Sequence, residues 1–200
     1  YRGMMNSITN QKGLRKIWLR RGTLKKGAKT PIDSLNKFDY IIKPKDSIEF
    51  NIENEEKYNP DLITCNPIIL LDDDELLERN KACARLGIPE KSTIVYVQLG
   101  AGNINDINSE IRMTLDVLDE YENTYVILGE SMIGERLNVS GERIRIIRDY
   151  PNSRFFNAFD FAIMAAGYNS FHEAVQFSLP TIFFPNLNTG QDDQLARAKI

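Results

Sequence analysis

Apolar positions along this chain change rhythm near residue 68. From there on, short apolar runs alternate with stretches of helical period. "STIVYVQL" (Ser92–Leu99), "TYVILG" (Thr124–Gly129), "RIRIIR" (Arg143–Arg148), "DFAIMAAG" (Asp160–Gly167) and "TIFFP" (Thr181–Pro185) predict strands. Between the first two, Ile107, Ile111, Leu115 and Leu118 recur on one face and predict a helix. "NSFHEAVQF" predicts another helix, and "DDQLARAKI" begins a further one. Upstream, Leu76, Leu77, Cys83, Ala84 and Leu86 alternate with charge at helical spacing. Asp72–Glu75 would meet the positive end of that helix's dipole, and Gly87 and Pro89 would stop it. Most of these strands lack polar alternation, the mark of a parallel sheet covered on both faces. The expected class is therefore α/β: a Rossmann-like parallel sheet with helices on both faces.

The first 60 residues are polar and broken up. "RKIWLRRG" (Arg15–Gly22) and "FDYIIKP" (Phe38–Pro44) predict short strands, and "RRGTLKKGAK" is a basic loop. "NIENEEKYNP" (Asn51–Pro60) is acidic and ends in a breaker. These changes place a boundary near Cys65–Leu71, with 1–66 as one domain and 67–200 as the other.

Composition narrows the function classes. Two hundred residues suit one large domain, or one domain and part of another, and 42 % apolar residues suffice for a core. A net charge of −3 with no long basic block argues against nucleic acid as a partner. No apolar run approaches the ~20 residues that span a membrane. Cys65 and Cys83 lack metal-ligand spacing and read as free thiols of a cytoplasmic protein. The chain opens on Tyr1 and ends within a helical pattern, so it reads as a piece of a longer protein.

Candidate chemistry lies in the loops after the strands, because ligands of parallel sheets sit beyond the strands' carboxyl ends. "GAGNIND" supplies Gly100, Gly102 and Asn103, which let backbone approach a ligand; a plain tight turn is the alternative. It is not the dinucleotide fingerprint, since position 105 is Asn. In "DYPNSRFF", Tyr150–Pro151 favours extended backbone that offers N–H and C=O to a planar ring, or else a simple turn. In "GYNSFHE", Gly167 permits a sharp turn and Asn169 or Ser170 can cap a helix. Two such residues side by side exceed one helix's need; with the helix N–H groups they can make a diphosphate cradle. Glu173, one turn further, is placed to reach a pair of sugar hydroxyls. His172, the only histidine, reads either as a packing residue or as a functional one. Asp192, Asp193 and Gln194 offer a hexose acceptors and a donor, or are ordinary acid at a helix start.

As a set, Gly167-Tyr168-Asn169-Ser170-Phe171-His172-Glu173, Leu179-Pro180, Pro185 and Asp193-Gln194 resemble the donor-binding, C-terminal domain of GT-B glycosyltransferases. The likeness is to family 28, the MurG-like group, and to UDP-glucuronosyl and glucosyltransferases. It is tight over the last ~35 residues, looser from about Leu62, and on this resemblance residues 1–66 would be the end of an acceptor-side domain. The resemblance implies a metal-independent hexosyltransferase that takes a UDP-sugar as co-substrate and needs no other cofactor. Asn169 and Ser170 would hold the diphosphate, together with the Gly100–Asn103 loop. Glu173 would bind the ribose, Asp193 and Gln194 the donor sugar, and backbone near Ile147–Tyr150 the uracil. The acceptor would be a glycan or lipid-linked, of the kind used in cell-envelope polysaccharide, and the full-length protein can associate peripherally with a membrane. The catalytic base is expected in the acceptor-side domain, so this stretch is expected to be inactive alone. Two departures matter. Plant-type members carry His where this chain has Ala165. Retaining members often carry a second Glu eight positions after the first, where this chain has Thr181, which favours inversion. A nucleotide-sugar hydrolase of related fold and the donor-binding subunit of a split glycosyltransferase are the alternatives.

Overall fold

Strand and helix alternate in space as they do in sequence. A computed structural model describes residues 13–20, 38–47, 62–100, 106–132, 136–190 and 192–200. The chain divides into two compact units. Tyr1–Ile68, Gly190–Asp193 and Ile200 form one; Ile69–Thr189 and Gln194–Lys199 form the other. The first holds a parallel sheet ordered β1-β2-β3, from β1 (Ile17–Leu19), β2 (Tyr40–Pro44) and β3 (Leu62–Cys65). The sequence predicts the first two strands and not Leu62–Cys65, since a four-residue strand carries little pattern.

The second unit contains α1 (Arg79–Leu86), β4 (Thr93–Gln98), α2 (Ile107–Asp119), β5 (Thr124–Gly129), β6 (Ile144–Ile147), β7 (Phe161–Ala165), α3 (Tyr168–Gln176), β8 (Thr181–Phe184) and α4 (Gln194–Ala198). Its five strands are ordered β6-β5-β4-β7-β8, and every pairing is parallel. This is the α/β class that the strand composition required. Along β4, Ile94 and Tyr96 belong to one core, while Val95 and Val97 belong to another. The first core includes Ala82, Cys83 and Leu86 of α1, and the second Ile107, Ile111 and Leu118 of α2. A strand with an apolar core on each side needs apolar residues at every position, which explains the missing alternation. Burying each large aliphatic side chain of α2 contributes roughly 1.5–3 kcal/mol.

At three places the structure departs from or adds to these expectations. The helix proposed to start at Asp72 starts at Arg79. Asp73–Glu75 form a single 3-10 turn, in which Glu75 Oε2 accepts from the Asp72 N–H at 2.8 Å. Leu76 then turns extended, and Leu77 donates its N–H to Arg154 O at 2.8 Å. Leu76 and Leu77 still reach the core, so their spacing imitated a helix. Second, the turn at Tyr150–Pro151, a cis peptide, leads into a 3-10 helix over Asn152–Ala158. Its Phe155, Phe156 and Ala158 are buried, and α1 packs against it. Third, α3 begins at Tyr168, so neither Asn169 nor Ser170 is its N-cap; that residue is Gly167.

Arg79 and Asp160 tie the amino ends of the strands together. Asp160 Oδ2 accepts the Ile94 N–H at 2.7 Å. Arg79 pairs with the same carboxylate at 3.1 Å and donates to Ala158 O at 2.8 Å and Ser92 O at 2.9 Å. At mid-sheet, Tyr96 is fully buried and stacks on Phe159 with centroids 4.9 Å apart. Its hydroxyl lies where a Cβ on Gly129 would come within 2.1 Å. Gly129→Ala should therefore overpack the core and destabilise the protein by about 1–3 kcal/mol in urea unfolding.

Candidate functional site at the carboxyl rim

The strand order reverses about β4. The chain runs outward to β5 and β6, returns to β7 on the other side of β4, and continues to β8. Such a switch point leaves a crevice at the carboxyl ends of the two strands that flank it. Here those are β4 and β7, whose register pairs Gln98 with Met164. Their ends lie one strand spacing apart, about 4.8 Å. Gly100 follows β4 and Gly167 follows β7. Gly100 adopts φ +112°, a region that side chains disfavour, so glycine is needed at this rim. Gly102 and Asn103 lie outside the described residues.

On the β7 side, Gly167 is extended, with φ −63° and ψ 151°, and offers no side chain to cap α3. The first intrahelical bond runs from the Phe171 N–H to Gly167 O at 2.9 Å. The N–H groups of Asn169 and Ser170 lie ahead of that bond, at the positive end of the helix dipole. Asn169 is exposed and Ser170 half-buried. Gly100 on one side, and Gly167, Asn169 and Ser170 on the other, thus follow the carboxyl ends of two paired strands, β4 and β7. Tyr150 is exposed beyond the carboxyl end of β6.

Glu173 is half-buried one turn into α3. Ser153 Oγ donates to its Oε1 at 3.1 Å. Burial pushes this carboxyl above the usual carboxylate range, and the Ser153 hydrogen bond works against the shift. His172 is buried, with its ring 4.5 Å from Tyr168 and 5.3 Å from Phe171. Those contacts make it a packing residue of α3.

Gln194 and Asp193 are neighbours in sequence that group with different units, Gln194 with the second and Asp193 with the first. Gln194 is buried, and its Oε1 accepts from the Asn186 N–H at 2.9 Å. The carbonyl end of its amide thus already has a partner inside the fold.

Three rim residues escaped the sequence reading. Arg197 has no exposed surface, donates to Ala166 O at 2.5 Å and lies 5.8 Å from the Tyr168 ring centroid. It braces the turn that presents Gly167. Its signal was the i, i+3 spacing to Gln194, which puts both on one inward face. Glu130, directly after β5, is buried. It accepts from Arg136 at 2.6 Å, from the Leu137 N–H at 2.8 Å and from Arg148, whose Nη2 lies 3.1 Å away. A carboxylate immediately after an apolar strand was the available clue. Ser153 gave no sequence signal, because its placement depends on the 3-10 helix. Among the described residues no three His, Cys, Asp or Glu side chains gather as a metal site. Among the same residues no helix is long and apolar enough to cross a membrane.

No protein-family model matches the chain, and no curated protein matches it. The site's chemistry therefore rests on its own residues.

Glu130 yields a pH prediction. The Arg148 hydrogen bonds, with the Leu137 N–H and Arg136, hold its pKa down to about 2, against an ordinary 4.5. A depressed carboxyl stabilises the fold fully above its unfolded pKa and loses that contribution as pH falls through the folded value. Glu130→Gln should lower stability by about 1.5–3 kcal/mol at pH 7, the worth of a hydrogen bond to a charged group. The gap to wild type should close between about pH 4.5 and pH 2 in urea unfolding measured at each pH.

Proposed function

We propose that this chain binds a nucleoside-diphosphate sugar, UDP-linked, and is the donor-binding part of a GT-B glycosyltransferase of the family 28 type. The observation that carries the reading is that Gly100, with a positive φ, and the start of α3, without a side-chain cap, each follow a strand at the β4/β7 switch point. Backbone N–H groups at the positive end of a helix dipole suit a diphosphate. The same groups would stabilise the charge that develops on a departing nucleoside diphosphate, which is how such a rim would accelerate sugar transfer. Asn169 and Ser170 add polar side chains at that helix start. Glu173, one turn inside, offers a carboxylate to the ribose diol. Backbone at Ile147–Tyr150 would take the uracil edge. The resemblance alone gives Asp193 and Gln194 the donor sugar. The acceptor would be a glycan or a lipid-linked saccharide.

Titration calorimetry with UDP, GDP, CDP and a UDP-sugar tests the reading. UDP should bind more tightly than GDP or CDP, and equal or absent binding of all four ligands would overturn it. Glu173→Ala should weaken UDP by roughly ten- to a hundredfold, the loss of charge-assisted bonds worth about 1.5–3 kcal/mol. Its thermal unfolding should stay close to wild type, because Glu173 is no part of either apolar core.

A further inference from the structure

Glu173 ends a line of polar side chains that crosses an otherwise apolar interior. The line begins at Tyr96 on β4, whose hydroxyl accepts from Asn152 Nδ2 at 3.2 Å. Asn152 is buried, and its Oδ1 has neither solvent nor a partner among the described residues. Ser153 follows it on the 3-10 helix, is 2 % exposed and turns its hydroxyl onto Glu173 Oε1. One hydrogen bond thus joins β4 to the 3-10 helix, and a second, from the next residue of that helix, joins it to the carboxylate on α3.

Polar groups in such a place cost free energy unless each has a task. Tyr96–Asn152 has one that can be read off: it fixes the start of the 3-10 helix against the sheet, and so fixes where Ser153 stands. Ser153 spends its single donor on one carboxylate oxygen, which leaves the other for a ligand. A glutamate held by one oxygen is ordered before binding; a free one must be ordered by the ligand, at a cost in affinity.

We propose that Ser153 is the positioning residue of the candidate site: its hydroxyl holds Glu173 Oε1 inward, so that the second oxygen is presented to the ribose diol. The inference rests on the reading that Glu173 binds that diol. Ser153 itself touches no ligand. Its hydroxyl also favours the ionised carboxylate, against the burial that disfavours it. The other titratable or charged groups on the surrounding elements are Tyr96 on β4, Tyr168 and His172 on α3, Arg154 beside Ser153, and Asp73, which Gln176 reaches one turn further along α3. Burial pushes the Tyr96 hydroxyl far upward, so it stays neutral while Glu173 titrates.

The test uses UDP titration calorimetry across acid to neutral pH, with carbon-13 titration of the Glu173 carboxyl in the ligand-free protein. In wild type, affinity should fall as the pH drops through the Glu173 titration, because a protonated carboxyl loses acceptor capacity. Ser153→Ala should weaken UDP about three- to tenfold at pH 7, the worth of one hydrogen bond. It should also raise the Glu173 titration midpoint and carry the acid loss of affinity to higher pH. Ser153→Cys, close in size and a weaker donor, should fall between the two, and it keeps the comparison if the alanine variant fails to fold. A merely structural serine would change the melting temperature and leave the titration where it was. Wild-type UDP binding and an unmoved Glu173 titration in Ser153→Ala, alongside weakened binding by Glu173→Gln, would overturn this inference and leave the ribose reading standing. Unaltered UDP binding by Glu173→Gln would overturn the ribose reading, and this inference with it.

Discussion

The placement of Tyr96 is the constraint on which most of the second unit depends. A fully buried aromatic ring at the centre of a parallel sheet needs partners on every side. Phe159 supplies a stacked face at 4.9 Å and Phe156 a tilted one at 5.7 Å. The neighbouring strand must yield space at its end, and Gly129 does so by lacking a side chain. The phenol oxygen then needs a polar partner, and Asn152 meets that need. One residue on the central strand thus fixes the aromatic cluster, the end of β5 and the start of the 3-10 helix.

The rim inherits this order. β4 is central because two strands lie on either side of it, and a central parallel strand is where connections to the two sides part. Gly100 after β4 and the helix after β7 therefore both follow the carboxyl ends of neighbouring strands, whatever their sequences. Sequence decides only what they carry there: a positive φ at Gly100, polar residues at 169 and 170, and a partly desolvated carboxylate at 173. Arg197 and Glu130 work behind this surface. One holds the carbonyl ahead of Gly167, and the other gathers Leu137, Arg136 and Arg148 beside the end of β5.

What could be read in advance follows the range of the interactions involved. The strands β4 to β8 and the helix α2 were legible because their apolar periodicity is local and long enough to be unambiguous. Gly100 was legible as a turn glycine after a strand, and its φ of +112° requires one there. The start of α1 was misread because Leu76 and Leu77 reach the core from extended backbone, and periodicity cannot tell that from a helical turn. The 3-10 helix was missed because its cause is distant: Phe155, Phe156 and Ala158 fold against α1, some seventy residues earlier in the chain. Ser153 was missed with it. Asn169 and Ser170 were expected as caps and lie two and three residues too deep, because Gly167 takes that position.

The Arg79–Asp160 pair has a wider consequence. Asp160 offers a carboxylate to the Ile94 N–H, and the guanidinium of Arg79 joins that carboxylate to two further carbonyls. Fastening of this kind sits where the strands begin, while Gly100, Gly167, Asn169 and Ser170 follow where they finish. The fastening of the strands and the proposed ligand groups thereby lie at opposite poles of the same sheet. Substitutions at the carboxyl pole leave the Arg79–Asp160 anchorage, which keeps the strands in register, in place.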